Sequence, residues 1–179
     1  MEQNPKLAFG EINYKNLEQF KVITQKTLPV TYSENFYIKI LTYSDFSTLG
    51  YYNDIAVGAI TARIEEKDGR KTAYIMTFGV LDAYRRLGFG TQLLNELINR
   101  IRSHEEIRTI YLHMWVSNEI GFQFYSRHGF EKTTYKKNYY TDIDPPHCYI
   151  LTKRLYPDVD PPIPYTEEDT EKEQEIAQQ

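Results

Sequence analysis

The sequence predicts a mixed α/β fold, a twisted mixed sheet with helices on both faces. Three observations carry this. Two strand-like runs, Ile55 to Glu65 and Lys71 to Val80, flank the turn dipeptide Asp68-Gly69, which reads as a hairpin. The second run leads through Arg85-Arg86-Leu87-Gly88-Phe89-Gly90 into a helical pattern, with Leu93, Leu94, Leu97, Ile98 and Ile101 on one face. Strand and helix periods alternate along the whole chain, in the order β-α-α-β-β-β-α-β-α-β-β.

The elements follow in turn. Leu7 to Ile12 is a short first strand. Asn13 offers an N-cap, and Leu17, Phe20 and Ile23 repeat at helical spacing to about Lys26. Pro29 stops that helix and holds Leu28-Pro29-Val30 in a loop. Ser33 caps a second helix with Phe36, Tyr37, Ile40 and Leu41 inward. Phe46 to Tyr52 is a strand, and Asn53-Asp54 is a turn into the hairpin. The long amphipathic helix begins near Gly88. Thr109 to His113 is a strand, and Asn118 caps a helix through Tyr125 that Gly129 ends. Phe130 to Tyr135 and Cys148 to Leu155 form a last strand pair.

A chain of 179 residues suits one domain with a substantial core, placed at 1–156. Residues 157–179 hold four prolines, eight acids and one lysine, and read as an acidic disordered tail. That tail sums to −7, which leaves +3 for the rest of a chain whose net charge is −4. The globular part is therefore mildly basic. This suits an anionic ligand and is too weak to argue for nucleic acid. Cys148 is the only cysteine, so an intrachain disulfide is excluded. Membrane-length apolar runs and a signal peptide are both absent, which gives the expectation of a cytoplasmic or nuclear protein. The other histidines, His104, His128 and His147, share no metal-ligand spacing, so no metal site is expected. Aromatic residues make up 15%, most of them the 16 tyrosines; flat rings with polar tips suit a pocket that grips a peptide, and equally a half-buried sheet.

The Arg85–Gly90 stretch is the strongest chemical signal. A helix N-terminus presents unpaired N–H groups and partial positive charge. Gly88 and Gly90 let the backbone approach a ligand, while Arg85 and Arg86 add charge for phosphates. A plain turn with solvated arginines fits the same residues. The stretch lacks the Gly-Lys-Ser/Thr ending of a Walker loop, and its hairpin approach is not that of a dinucleotide fingerprint. Tyr74, at the start of the preceding strand, and His113, at the end of a later one, are the candidate catalytic side chains. On composition alone, His113 reads as a structural histidine, Tyr74 as a sheet aromatic and Met76 as a core filler.

Arg85-x-x-Gly88-x-Gly90 after a strand resembles the Gln/Arg-x-x-Gly-x-Gly/Ala signature of the GNAT N-acetyltransferases, and the element order over residues 6–155 is also theirs. Asn118 followed by Phe124-Tyr125 and Gly129-Phe130 looks like the family's second cofactor segment. Within the family the chain is similar to the NatE catalytic branch. The carrying strings are Leu28-Pro29-Val30-x-Tyr32, Tyr74-Ile75-Met76-Thr77, Tyr84 to Gly90, Tyr111-Leu112-His113, Ser117-Asn118-Glu119 and Lys136-Lys137-Asn138-Tyr139-Tyr140.

The resemblance implies acetyl-CoA as donor and a protein N-terminus, Met followed by an apolar residue, as acceptor, with some protein-lysine activity. It assigns Phe78, Gly79, Val80, Arg85, Arg86, Leu87, Gly88, Phe89, Gly90 and Thr91 to the acetyl-CoA site. Asn118, Phe124 and Tyr125 would hold the CoA arm, with Tyr125 near the sulfur. Tyr74 and His113 become the catalytic pair, working through an ordered water. Leu28, Pro29, Val30, Tyr32, Met76, Tyr139, Tyr140, Thr141 and Asp142 would grip the acceptor peptide. Subunits of a NatA-type complex and the ribosome are the partners it implies, with no direct nucleic acid and no membrane. The chain departs from the branch at Leu28, where Phe is usual, and at Asp82-Ala83 and Met114-Trp115. A smaller Leu28 side chain would widen acceptance at the acceptor's first two residues.

The chemistry suits these residues. A peptide α-amine, with pKa near 7.7–8.0, is roughly 10–20% neutral around pH 7, whereas a lysine near 10.4 is neutral less than ~0.1% of the time. An N-terminal acceptor therefore needs only a modest base, such as His113 through water. Tyr74 would orient that water. Backbone N–H groups at Met76 to Phe78 would face the oxyanion if a local bulge frees them, and Tyr125 would protonate the thiolate. Two other readings use the same fold: a non-catalytic scaffold subunit, and a small-molecule amine acetyltransferase.

Overall fold

The computed structural model of the chain describes residues 5–67 and 69–156. Its elements are β1 (Ala8–Glu11), α1 (Leu17–Thr27), α2 (Glu34–Ile40), β2 (Ser47–Tyr52), β3 (Ile55–Lys67), β4 (Arg70–Val80), α3 (Phe89–Arg102), β5 (Ile107–Trp115), α4 (Glu119–Arg127), β6 (Glu131–Lys136) and β7 (Cys148–Arg154). Short 3₁₀ turns span Leu41–Phe46 and Asp82–Tyr84. The strands hydrogen-bond in the order β1-β2-β3-β4-β5-β7-β6 in one seven-stranded sheet. The sheet is mixed: β4 and β5 pair in parallel, while β1–β2, β2–β3, β5–β7 and β6–β7 pair antiparallel. The expected element order and mixed α/β class hold.

Local chemistry explains the boundaries. Asn13 does not cap α1. Its side-chain oxygen accepts from the Lys15 N–H at 2.9 Å, and its own N–H donates to Asn16 Oδ1 at 2.7 Å. This Asx turn delays the helix to Leu17, with Asn16 at the N-cap. Ser33 does cap α2, its hydroxyl accepting from Phe36 N–H at 3.2 Å. Asn53 and Asp54 take φ of 49° and 63°, the left-handed pair that a tight hairpin turn requires. Asp68 and the tail expected over 157–179 lie outside the described residues.

The chain divides into two compact units, Met1–Arg63 with Ile75–His104, and Ile64–Tyr74 with Glu105–Gln179. In the first, α1 and α2 press Phe20, Ile23, Phe36, Tyr37 and Ile40 onto Ile12, Leu49 and Ala59 in one cluster. Thr24 and Tyr37 share a buried hydroxyl bond at 2.9 Å within it. α3 buries its Leu93, Leu94, Leu97, Ile98 and Ile101 face, each such side chain contributing roughly 1.5–3 kcal/mol. Glycines make the fit possible: a Cβ on Gly58 would meet Leu93 at 2.8 Å, and one on Gly50 would meet Leu7 at 2.8 Å and Leu93 at 3.2 Å.

In the second unit β7 lies between β5 and β6, with register Thr109↔Arg154 through Trp115↔Cys148. The opening of β4 pairs in parallel with β5 and ends at Tyr74↔Tyr111. Ile110, Leu112, Met114, Ile150, Leu151, Tyr125 and Phe130 are buried here. Asn118 caps α4 as expected, accepting from the Gly121 N–H at 2.9 Å, and Gly129 at φ 79° follows its end.

Candidate active site

Strand alternation puts Tyr111 and His113 on the same face of β5. The parallel register sets Tyr74 opposite Tyr111, one step from His113. The result is a contact between the two expected catalytic side chains. Tyr74 OH lies 3.3 Å from His113 Nδ1, and the rings meet edge to face at 5.5 Å. That spacing sits just outside the usual hydrogen-bond range, a loose pair that a water can share. His113 is half-buried, and its ring stacks on Tyr139 with centroids 4.2 Å apart.

Two residues that sequence reasoning missed complete this face. Tyr111 stacks on Tyr74 with centroids 4.9 Å apart, and its hydroxyl donates to the Glu65 carboxylate. The i, i+2 spacing of Tyr111 and His113 was a usable signal. The link to Glu65 depends on strand pairing and had none.

In the first unit the Arg85–Gly90 loop has the shape of an anion cradle. Gly88 is the N-cap of α3 at φ 80°, and the first N–H groups of α3 have no capping side chain. A Cβ at Gly88 would meet nothing within 4 Å, so the space before the helix is open. Arg86 also takes a positive φ, 65°, and Arg86, Leu87 and Gly88 are exposed. These features fit a pyrophosphate. Arg85 has a different place from the one its charge suggested. Its Nε donates to Val80 O at 3.0 Å, its guanidinium pairs with Asp82 at 2.8 Å, and its N–H donates to Asp82 O. Arg85 braces the loop, and the N–H groups left for an anion begin at Arg86. Phe89 is buried beneath it, while Gly90 and Thr91 lie in the first turn of α3.

Phe78, Gly79 and Val80 close β4. Gly79 lies so near α1 that a Cβ would meet Thr27 Oγ1 at 2.1 Å. In the pairing of β4 with β5 the register shift falls between Lys71 and Thr72. That ladder stops at Tyr74, which leaves the N–H groups of Met76 to Phe78 outside it.

Asn118 acts through its cap on α4. Phe124 packs between Tyr125 and His128, and Tyr125 is buried against Phe130. Burial pushes the Tyr125 phenol up from its ordinary value, so it carries its proton at any assay pH.

The expected acceptor residues split between the units. Tyr32 and Met76 both pack on the first unit's core, Tyr32 stacked on Phe36 at 4.2 Å. Leu28 is the C-cap of α1, with exposed Pro29 and half-buried Val30 after it. Tyr139 and Tyr140 stand edge to face in the second unit, followed by exposed Thr141 and Asp142. Among the described residues, His, Cys, Asp and Glu side chains form no group of three or more able to hold a metal ion.

The sequence matches the model of the acetyltransferase (GNAT) family over residues 16–130. It is 40% identical over 150 residues to N-alpha-acetyltransferase 50 of Danio rerio, covering 84% of this chain and 89% of that one. It is 35% identical to the probable N-acetyltransferase san of Drosophila melanogaster, covering 83% and 81%. Among solved structures it is similar to Arabidopsis thaliana Naa50 in complex with the bisubstrate analogue CoA-Ac-MVNAL, with TM-score 0.77 and 39% identity over 83% of this chain and 98% of that one. The chain belongs to the acetyltransferase (GNAT) family.

Proposed function

We infer that the protein is an acetyl-CoA-dependent N-alpha-acetyltransferase, and that it acts on N-termini beginning with Met followed by an apolar residue. The observation that carries the chemistry is the Tyr74 hydroxyl 3.3 Å from His113 Nδ1. The donor is supported by the anion-shaped loop at Arg86–Gly90, and the acceptor by the plant relative, whose analogue ends in the peptide MVNAL. Bound acetyl-CoA supplies the activated acetyl thioester.

The residues then divide the work. N–H groups from Arg86 to Thr91 bind the pyrophosphate, with Arg86 adding charge. His113 takes the proton of the α-amine through a water that the Tyr74 hydroxyl orients. Backbone N–H groups of Met76 to Phe78 stabilise the oxyanion. Tyr125, held protonated by burial, donates a hydrogen bond to the leaving thiolate, which takes its proton from solvent. Leu28, Pro29, Val30, Tyr32 and Met76 receive the acceptor Met side chain, and Tyr139, Tyr140, Thr141 and Asp142 hold the peptide behind it. Leu28, in place of a phenylalanine, widens the allowance for that Met and its neighbour. Protein lysines are a slower second class of acceptor. In the cell the protein works in cytoplasm and nucleus beside NatA subunits on the ribosome.

The test is turnover with acetyl-CoA on peptides beginning Met-apolar, Met-acidic, Ser and Ala, with spermidine as a small-amine control. Met-apolar peptides are acetylated fastest, and His113→Ala loses about 10²–10³-fold in kcat. Binding of acetyl-CoA without turnover of any Met-apolar peptide would sink the reading. Ribosome co-sedimentation from cell extract tests the partner assignment separately.

A further inference from the structure

We infer that Glu65 and Tyr111 are positioning residues for the Tyr74–His113 pair, a carboxylate-anchored phenol whose ring is the platform on which Tyr74 rests. The inference depends on the catalytic role proposed for that pair. Tyr111 is buried, at 5% exposure, so its hydroxyl needs a partner inside the protein. It donates to the Glu65 carboxylate, a charge-assisted bond that fixes the far end of the ring. The Tyr74 ring lies on that fixed ring, with centroids 4.9 Å apart and planes 26° from parallel. Tyr111 also meets the His113 ring edge to face at 6.0 Å. One anchored ring therefore touches both members of the pair.

The geometry makes that anchor matter. At 3.3 Å the Tyr74 hydroxyl stands at the limit of hydrogen-bond reach to His113 Nδ1. A slide of a few tenths of an ångström along the stack makes or breaks the contact. Packing alone limits such slides weakly, because stacked rings have a shallow preference for any one offset. The carboxylate supplies the missing restraint from β3, two strands away from His113 in the strand order β3-β4-β5.

The test is steady-state kinetics with acetyl-CoA and a Met-starting peptide. Glu65→Ala lowers kcat by about tenfold, an order below the cost of a full 1 Å misplacement, with KM for acetyl-CoA unchanged. Glu65→Gln still offers Tyr111 a carbonyl oxygen and restores most of the loss. Tyr111→Phe keeps the ring stack, loses the anchor, and lowers kcat in the same direction; it serves also if Glu65→Ala fails to fold. In a Tyr74→Phe background, Glu65→Ala costs nothing further, because the residue it acts through has lost its hydroxyl. Equal losses in both backgrounds, a rise in KM alone, or unchanged kcat in both single variants overturns the inference. A readout independent of turnover is the His113 ring signal in a proton–nitrogen spectrum. It moves in Glu65→Ala and Tyr111→Phe and stays in the exposed control Glu66→Ala. An unmoved signal overturns the inference whether or not peptide is acetylated. A moved signal in a protein that acetylates no N-terminal peptide supports it and overturns the functional reading alone.

Discussion

The imidazole of His113 lies flat on the ring of Tyr139, with planes 7° from parallel. His113 belongs to β5, and Tyr139 to the loop between β6 and β7, so one contact joins the candidate base to the loop proposed to hold the acceptor. That loop is braced from within: Asn138 N–H donates to His147 Nδ1 at 3.1 Å, and Tyr140 N–H to Pro146 O at 2.9 Å. Trp115 Nε1 holds Pro145 O from the end of β5 at 2.7 Å. Such a stack is worth about 0.5–1.5 kcal/mol beyond burial. Tyr139→Ala therefore lowers kcat/KM by about tenfold or more, while Tyr139→Phe, which keeps the stack, stays within about threefold. Equal losses in the two variants would place the role in the hydroxyl.

Gly88 separates backbone strain from steric fit. A Cβ there meets open space, yet φ is 80°. Gly88→Ala costs about 1–2 kcal/mol of strain, the price of a left-handed L-residue. The loop can relieve that strain only by turning its N–H groups, so KM for acetyl-CoA rises along with a small loss in Tm. Arg86→Ala raises KM for acetyl-CoA without touching Tm, because that side chain is exposed. Arg85→Ala does the reverse, lowering Tm by release of Val80 O and Asp82 with a smaller effect on KM. Thermal melts and acetyl-CoA saturation curves on the three variants check all of this.

How much of this was legible depends on range. Caps and turns that act within four residues were readable, as at Ser33, Asn53-Asp54, Asn118 and Gly129. Asn13 misled because its side chain closes an Asx turn onto the Lys15 N–H, which moves the N-cap position to Asn16. Arg85 misled because a cation beside a phosphate-type loop looks the same whether it faces outward or pairs with Asp82. Tyr74 and His113 became a pair only through the family resemblance, since their contact spans 39 positions and a parallel register. Glu65 stayed hidden for the same reason, with no motif to point at it, whereas Tyr111 stood in the Tyr111-Leu112-His113 string, two residues from His113.

Gly79 is a purely steric case. An added methyl would meet Thr27 Oγ1 at 2.1 Å and Thr27 Cβ at 2.8 Å, where α1 crosses the end of β4. The Thr27 hydroxyl is tied to Ile23 O at 2.7 Å, so it cannot swing away without losing that bond. Gly79→Ala destabilises by about 1–3 kcal/mol, the usual cost of overpacking. Thr27→Ala removes the nearer clash and leaves the farther one, so the double variant recovers part of the loss. Urea denaturation of the two single variants and the double variant reads the coupling directly. Strict additivity would show that the glycine is needed for some other reason.

Tyr32 and Tyr125 each make the fold less stable at alkaline pH. Burial raises both phenols above the ordinary value of 10.0. The folded protein therefore holds these protons more tightly than the unfolded chain does. Their contribution to stability is complete below pH 10 and is lost as pH climbs from there toward the raised values. Above pH 10 the unfolding free energy falls by about 1.4 kcal/mol per pH unit for each such group. Tyr32→Phe and Tyr125→Phe each remove one of these terms and flatten the decline by that amount. Absorbance titration supplies the second measurement. Tyr32 and Tyr125 ionise only together with the unfolding transition. A phenolate signal from either residue near pH 10 in the folded state would refute the assignment, and with it the claim that Tyr125 stays protonated to serve the leaving thiolate.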